Sequence, residues 1–234
     1  MSLSNAIASL PKHEAILPAS GMRVEYRPFI VKEEKILLMA AETRDEATIN
    51  NAVRDVILAC TGGKVDVNAV PLVDMEYLFL QLRSRSVGET TKPMVKCEKC
   101  EKGNEVTINL KEIQPTKNPA HTLTVDLVGN IKVQMRYPTL KSAASLPEGD
   151  NDIIKTFLLL GKCIDKVFVG DTVYVADEIG EKEVNDFLDQ LTQEQFAKLS
   201  SFFETMPKIE KKVSFKCSCG HENNITMRGI ASFF

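Results

Sequence analysis

Six cysteines are placed unevenly along this chain. Cys60 and Cys163 stand alone, whereas Cys97/Cys100 and Cys217/Cys219 form two tight pairs. The segments Met94-Val95-Lys96-Cys97-Glu98-Lys99-Cys100 and Ser214-Phe215-Lys216-Cys217-Ser218-Cys219-Gly220 echo each other: a strand-like run leads into two thiols on a short turn. Two such turns facing each other offer four sulfurs to one tetrahedral ion, and zinc suits four thiolates. Tight spacing also lets the turn amides point at the sulfurs and reduce their negative charge. Gly220 follows the last cysteine, where a turn of this kind often needs positive φ. The expectation is one structural zinc per chain, held by Cys97, Cys100, Cys217 and Cys219, with His221 as a candidate substitute ligand. The second pair is Cys-x-Cys rather than Cys-x-x-Cys, and residues 101–216 lie between the halves. Four reduced thiols without metal are therefore the first alternative. A redox role for Cys97 and Cys100 is the second, and no βαβ pattern surrounds them to support it. A catalytic zinc is disfavoured, because such a site keeps an open position and rarely has four thiolates.

The remaining chemistry is sparse. His13, His121 and His221 are the only histidines, and isolated histidines are usually surface or satisfied core residues. No phosphate loop, dinucleotide fingerprint or H-E-x-x-H motif is present. The acidic pairs Glu33-Glu34 and Asp45-Glu46 read as solvated faces. Arg83 and Arg85 read either as carboxylate partners or as a surface patch. The tail Arg228-Gly229-Ile230-Ala231-Ser232-Phe233-Phe234 has two readings, a core-docked terminus or an apolar anchor for a partner through Phe233 and Phe234.

Several elements must carry these residues. Pro11, Pro18 and Pro28 oppose a long helix near the start, so an irregular arm is predicted, ending in a strand at Arg23-Val24-Glu25-Tyr26-Arg27. Residues 33–41 suit a helix or a buried strand. Ile49, Val53, Val56, Ile57 and Cys60 recur at helical spacing, and Gly62-Gly63 stops that helix. Met75, Leu78, Phe79 and Leu82 mark a second helix over 73–84, with Asp74 suited to the dipole at its start. Strands are predicted at 94–96 and 105–110, with Gly103-Asn104 at the tip between them. A hairpin follows, 123–127 and 131–135 around Gly129-Asn130. Ile153, Phe157, Leu160, Ile164 and Val167 predict one helix from an Asp152 N-cap to a stop at Gly170. Val173-Tyr174-Val175 predicts a strand, and helices are predicted at 181–191 and 193–204, the latter capped by Thr192. Strands at 213–215 and 225–227 flank the second cysteine pair.

Composition sets the outer limits. The chain has 234 residues, 44% hydrophobic and 26% charged, as expected of a globular protein with a sizeable core. The net charge is −3, so no global basic field is available to grip nucleic acid or anionic lipid. No apolar run approaches the roughly 20 residues of a membrane span. Met1-Ser2-Leu3-Ser4-Asn5 lacks the features of a signal peptide, so a reducing compartment is expected, where a disulfide framework is disfavoured.

Several segments, in order along nearly the whole chain, carry a resemblance. They are Tyr26-Arg27-Pro28-Phe29-Ile30-Val31-Lys32-Glu33-Glu34-Lys35-Ile36-Leu37-Leu38-Met39-Ala40, Asp74-Met75-Glu76-Tyr77-Leu78-Phe79-Leu80-Gln81-Leu82-Arg83, Ser86-Val87-Gly88-Glu89, Cys97-x-x-Cys100, Tyr137-Pro138, Phe202-Phe203-Glu204-Thr205-Met206-Pro207 and Phe233-Phe234. Together they resemble the T4-type bacteriophage baseplate protein family. The resemblance implies a non-enzymatic role in tail morphogenesis, as a subunit or assembly factor of the contractile-tail baseplate hub. The implied partners are hub and central spike proteins. The implied location is the host cytoplasm during assembly, with the virion baseplate as a further site. It supplies no catalytic residues, no small-molecule substrate and no membrane role.

An α+β fold is expected, a helical portion with a small β portion that contains a split zinc-ribbon-like site of four cysteines and a β-hairpin. The expected organisation is an N-terminal arm and mostly helical region over 1–90, a ribbon from 91–112 plus 208–234, and an inserted hairpin and helical region over 113–207. The competing reading is a zinc-ribbon nucleic-acid or transcription module, supported by Lys208, Lys211, Lys212, Lys216 and Arg228. Overall acidity and the lack of interleaved stacking aromatics oppose it. A zinc enzyme ranks third.

Overall fold

The computed structural model describes residues 10–43, 45–147 and 151–233. In chain order the strands and helices are β1 (His13–Ile16), β2 (Arg23–Tyr26), α1 (Val31–Thr43), α2 (Glu46–Thr61), α3 (Leu72–Ser86), β3 (Thr90–Thr91), β4 (Met94–Lys96), β5 (Gly103–Glu105) and β6 (Ile108–Asn109). After them come β7 (Thr124–Asp126), β8 (Ile131–Met135), α4 (Leu140–Ala144), α5 (Asp152–Lys162), β9 (Ile164–Val169) and β10 (Thr172–Val175). The chain continues through α6 (Ala176–Ile179), α7 (Glu181–Asp189), α8 (Gln193–Thr205), β11 (Glu210–Lys216) and β12 (Glu222–Arg228). Single 3-10 turns follow β6 and β12. The fold is α+β, and no described helix is long and apolar enough to cross a membrane. The chain packs as two compact units. One holds the residues up to Thr116 and from Lys208 onward, and the other holds Lys117–Pro207.

In the first unit, the described residues open on a hairpin where an irregular arm with one strand is expected: β1 pairs antiparallel with β2, and residues 1–9 of that arm lie outside the described residues. Pro18 falls in the turn, where a missing N–H costs nothing. Asp45 caps α2 by accepting the Thr48 amide at 2.8 Å, and Gly62 ends it at φ 64°. The expected inward faces of α2 and α3 are buried, with Val53, Ile57, Phe79 and Leu82 fully enclosed. The segment at 33–41 is helical, as part of α1.

One acidic residue departs from its sequence reading, and a second, Asp74 at the start of α3 as expected, does more than that reading gave it. Glu33 is not on a solvated face. It is buried, pairs with Arg27 at 2.9 Å, and accepts the Ile30 amide at 2.8 Å, which caps α1. Burial raises the Glu33 carboxyl pKa, but the bonds from Arg27 and Ile30 outweigh it and hold the value below the ordinary range. Asp74 is fully buried, and its two oxygens accept the amides of Ala19 and Ser20 at 2.7 and 2.9 Å. It fastens the β1–β2 turn to α3 rather than merely tuning a helix dipole.

The strands around the first cysteine pair also differ in detail. Gly103 and Asn104 are not a tip; they pair with Lys96 and Val95, and the cysteine turn itself is the tip. The expected run 105–110 is divided, because β6 leaves β4 and pairs with β3. β11 and β12 form a seven-residue hairpin that encloses the second pair. Val95, Ile108, Leu110, Ile209, Val213, Met227 and Phe233 form one core with Val73 and Leu80 of α3.

The second unit is a four-stranded antiparallel sheet in the order β10-β9-β8-β7, with α5, α7 and α8 contributing to its core. The β7–β8 hairpin is where the Gly129-Asn130 signal puts it. The single helix expected to run from Asp152 toward Gly170 is instead α5 followed by strand β9, and the cap is Asn151, which accepts the Ile153 amide at 3.0 Å. Ile164 and Val167 are both buried at a spacing of three because a bulge lies between them. The register steps from Gln134↔Lys166 to Met135↔Ile164, leaving Asp165 as the extra residue. Thr192 and Gln195 form a reciprocal capping box on α8. His121 is a structural residue: its ring nitrogens lie 3.0 Å from the Thr205 hydroxyl and 2.9 Å from that of Tyr137.

Replacing Asp74 by alanine leaves two buried amides without their charged acceptor. Denaturant unfolding of Asp74→Ala should show a loss of about 3 kcal/mol; a loss below about 1 kcal/mol would mean that the contact carries little of the fold.

Candidate metal centre

Each cysteine pair sits where a hairpin reverses. In the first, the Cys97 amide donates to the Lys102 carbonyl at 3.0 Å and the Glu101 amide to the Cys97 carbonyl at 2.9 Å. In the second, the Cys217 amide donates to His221 and the Gly220 amide to Cys217, both at 2.9 Å. The two turns share a design: the residue after the second cysteine adopts a left-handed backbone, Gly220 at φ 86° and Glu101 at φ 58°. The glycine is the residue expected there. Glu101 is the only described non-glycine residue with positive φ, and the sequence offers no signal for it.

The turns bring the four thiols together. Cys97 Sγ lies 3.8 Å from Cys219 Sγ, and Cys100 Sγ lies 3.6 Å from Cys217 Sγ. All four sulfurs are within 4.8 Å of one another. A sulfur–sulfur bond would be about 2.0 Å long. Four thiolates at about 2.3 Å from a tetrahedral metal stand about 3.8 Å apart, close to the Cys97–Cys219 and Cys100–Cys217 separations of 3.8 and 3.6 Å. These residues could hold a metal ion. Cys97 and Cys217 are buried and Cys100 and Cys219 face outward, so the group lies at the surface end of the two hairpins. His221 is not among the converging groups; its main-chain carbonyl supports the turn instead.

The thiols share protons unevenly. The Cys219 amide, opposed by desolvation and helped by the neighbouring thiols, pulls Cys217 down to about 6. Cys97 is also lowered: desolvation opposes this, but the amides of Cys100 and Lys99 and the Asn223 side chain prevail. At Cys100 the Lys102 amide pulls downward, yet hydrogen bonding with the Cys219, Cys217 and Cys97 thiols, together with desolvation, pushes it up to about 12. Cys60 and Cys163 differ: both are buried alone, and desolvation pushes them up to about 11 and about 12, against the influence of Arg27 and Arg136 respectively.

Asn223 is the support residue that sequence reasoning missed. It is buried, its Oδ1 accepts the Glu98 amide at 2.9 Å, and its Nδ2 donates to the His221 carbonyl at 3.3 Å. One side chain thus joins the two cysteine turns. Its only sequence signal is a polar residue two places beyond the second turn.

The tail is not available in the way one reading required. Phe233 is fully buried in the same core as Val213 and Met227, and its carbonyl accepts the Thr91 hydroxyl at 3.3 Å. Its ring is therefore core-docked rather than an exposed anchor; Phe234 lies outside the described residues. Among the basic residues near β11 and β12, Lys211 pairs with Glu112 and Arg228 with Glu210, which reduces the free positive charge there.

Opposite stability changes should follow at the two turns. Asn223→Ala should cost about 2 kcal/mol in denaturant unfolding, since it strands the buried Glu98 amide. Glu101→Gly should gain about 0.5 kcal/mol by removing a Cβ from a left-handed position.

A model of the family described as T4 bacteriophage base plate protein matches residues 10–234. Neither the curated proteins nor the solved structures contain a match. With the family's pattern spanning both cysteine turns and all the sequence between them, the chain belongs to the T4 bacteriophage base plate protein family.

Proposed function

We propose that this base plate protein is a non-enzymatic component of the contractile-tail baseplate hub, acting through binding to hub and central spike proteins. The observation that carries the reading is the family match over residues 10–234. The site chemistry agrees with it. Four thiols within 4.8 Å of one another are enough to fill all four positions around one tetrahedral ion, which would leave none for a substrate. Structural zinc at Cys97, Cys100, Cys217 and Cys219 joins hairpins from distant parts of the chain, a scaffold task. Such a protein works in the host cytoplasm while tails are built, and either stays in the finished baseplate or leaves it.

Co-purification from phage-infected cells, with mass spectrometry of assembly intermediates and finished tails, tests this. Recovery with hub proteins is the expected outcome. Recovery with nucleic acid alone, lost as salt rises, would support the nucleic-acid module instead.

Metal content is a separate test. Protein prepared without chelator should carry one zinc per chain by elemental analysis. Protons compete with the metal for thiolates, so zinc should be released as pH falls. Cys97→Ser should bind less metal and unfold at lower temperature; an unfolding curve overlaying that of the unaltered chain would exclude a shared structural site.

A further inference from the structure

The four-stranded sheet of the second unit has two edges, β7 and β10. Natural edges are usually blunted by charge, proline or covering elements, because unpaired backbone groups recruit other strands. β7 has Asp126 within its three residues. β10 reads Thr172-Val173-Tyr174-Val175, with no charge and no proline. Its first three residues are exposed, Val173 at 49% and Tyr174 at 44%, so nothing described covers this edge.

The turn fixes which backbone groups are free. Gly170 and Asp171 form a two-residue connection, with Thr172 opposite Val169. In such a hairpin the closing pair exchanges hydrogen bonds, and alternate residues face away. Thr172 and Tyr174 therefore bond to β9, while the N–H and C=O of Val173 point outward. No hydrogen bond engages either Val173 group among the described residues.

Charge narrows the choice of occupant. Asp171 stands at one end of β10 and Asp177 and Glu178 at the other. Arg136 is committed to Asp177 at 2.7 Å, and Lys166 lies on β9 opposite Val175. Asp171 and Glu178 have no ion pair among the described residues. Antiparallel pairing of two copies of β10 would set Asp171 of each alongside the acidic end of the other, and like charges across strands are destabilising. An extended apolar segment with lysine or arginine at its ends meets both demands.

We infer that β10 is a docking edge for an extended, alternately apolar segment of another protein, flanked by basic residues, which adds to the sheet as a fifth strand. The inference stands apart from the hub reading, because a synthetic strand can test it. The probe is a short peptide alternating valine and threonine with lysine at both ends, and the control has glutamate ends. Amide hydrogen exchange is followed by NMR on the full chain. The lysine-ended peptide should slow exchange at Val173 about tenfold and bind about tenfold more tightly than the control. Val173→Pro removes only an outward amide, so it should abolish binding while exchange at Val167 stays slow. The double variant Asp171→Lys, Glu178→Lys should reverse the preference between the peptides. No protection at Val173, or equal binding of both peptides, would overturn the inference. Self-association in sedimentation, removed by Val173→Pro, would also overturn it by making a second copy the occupant.

Discussion

Four sulfurs held within 4.8 Å of one another set the central constraint on this molecule. Thiolates repel at that distance, and burying two of them adds a desolvation cost. The two hairpins can bring them together only if a cation sits among them or protons stay on. Turn amides lower the pKa of Cys217 and Cys97, and both turns use a left-handed residue to close. The interior below is ordinary, a mixed core in which α3 packs under both hairpins. The cysteine cluster thus lies at the rim of a core that the rest of the first unit completes.

Three buried polar side chains hold the unit's parts in register. Asp74 takes the amides of Ala19 and Ser20, Glu33 takes that of Ile30, and Asn223 takes that of Glu98. Each satisfies backbone donors that no helix or sheet supplies, and buried amides require such partners. The bonds of Asp74 and Asn223 cross long sequence separations, so they specify tertiary arrangement rather than local structure.

These same contacts mark where sequence reading ran out. Helices α2, α3 and α8 were legible because their apolar faces and caps are local signals. So was the β7–β8 hairpin, from its Gly129-Asn130 turn. The convergence of the thiols was readable from two echoing turns. β9 was read as helix because its bulge buries Ile164 and Val167 three residues apart, a spacing that imitates a helical face. Glu33 was misjudged because an acidic residue looks solvated until its partners, Arg27 and the Ile30 amide, are in place; Asp74 was rightly set at the start of its helix, but its bonds to Ala19 and Ser20 span 55 and 54 positions and leave no local signal. Asn223 and Glu101 have roles set by turn geometry, which composition does not display. Phe233 could be either core or anchor until the strands under it were positioned.

The Thr116 amide donates to the Lys208 carbonyl at 2.9 Å, and the Lys208 amide to the Thr116 hydroxyl at 3.0 Å. The segment leaving the first unit and the segment returning to it are therefore stitched at one seam. Cys100 and Cys217 are 117 positions apart, with that seam between them. On the ribosome, the first cysteine turn must wait on the order of ten seconds for its counterpart. All of Lys117–Pro207 emerges in that interval and can complete its own core first. The order of synthesis thus places closure of the cysteine cluster after the whole of Lys117–Pro207 has emerged.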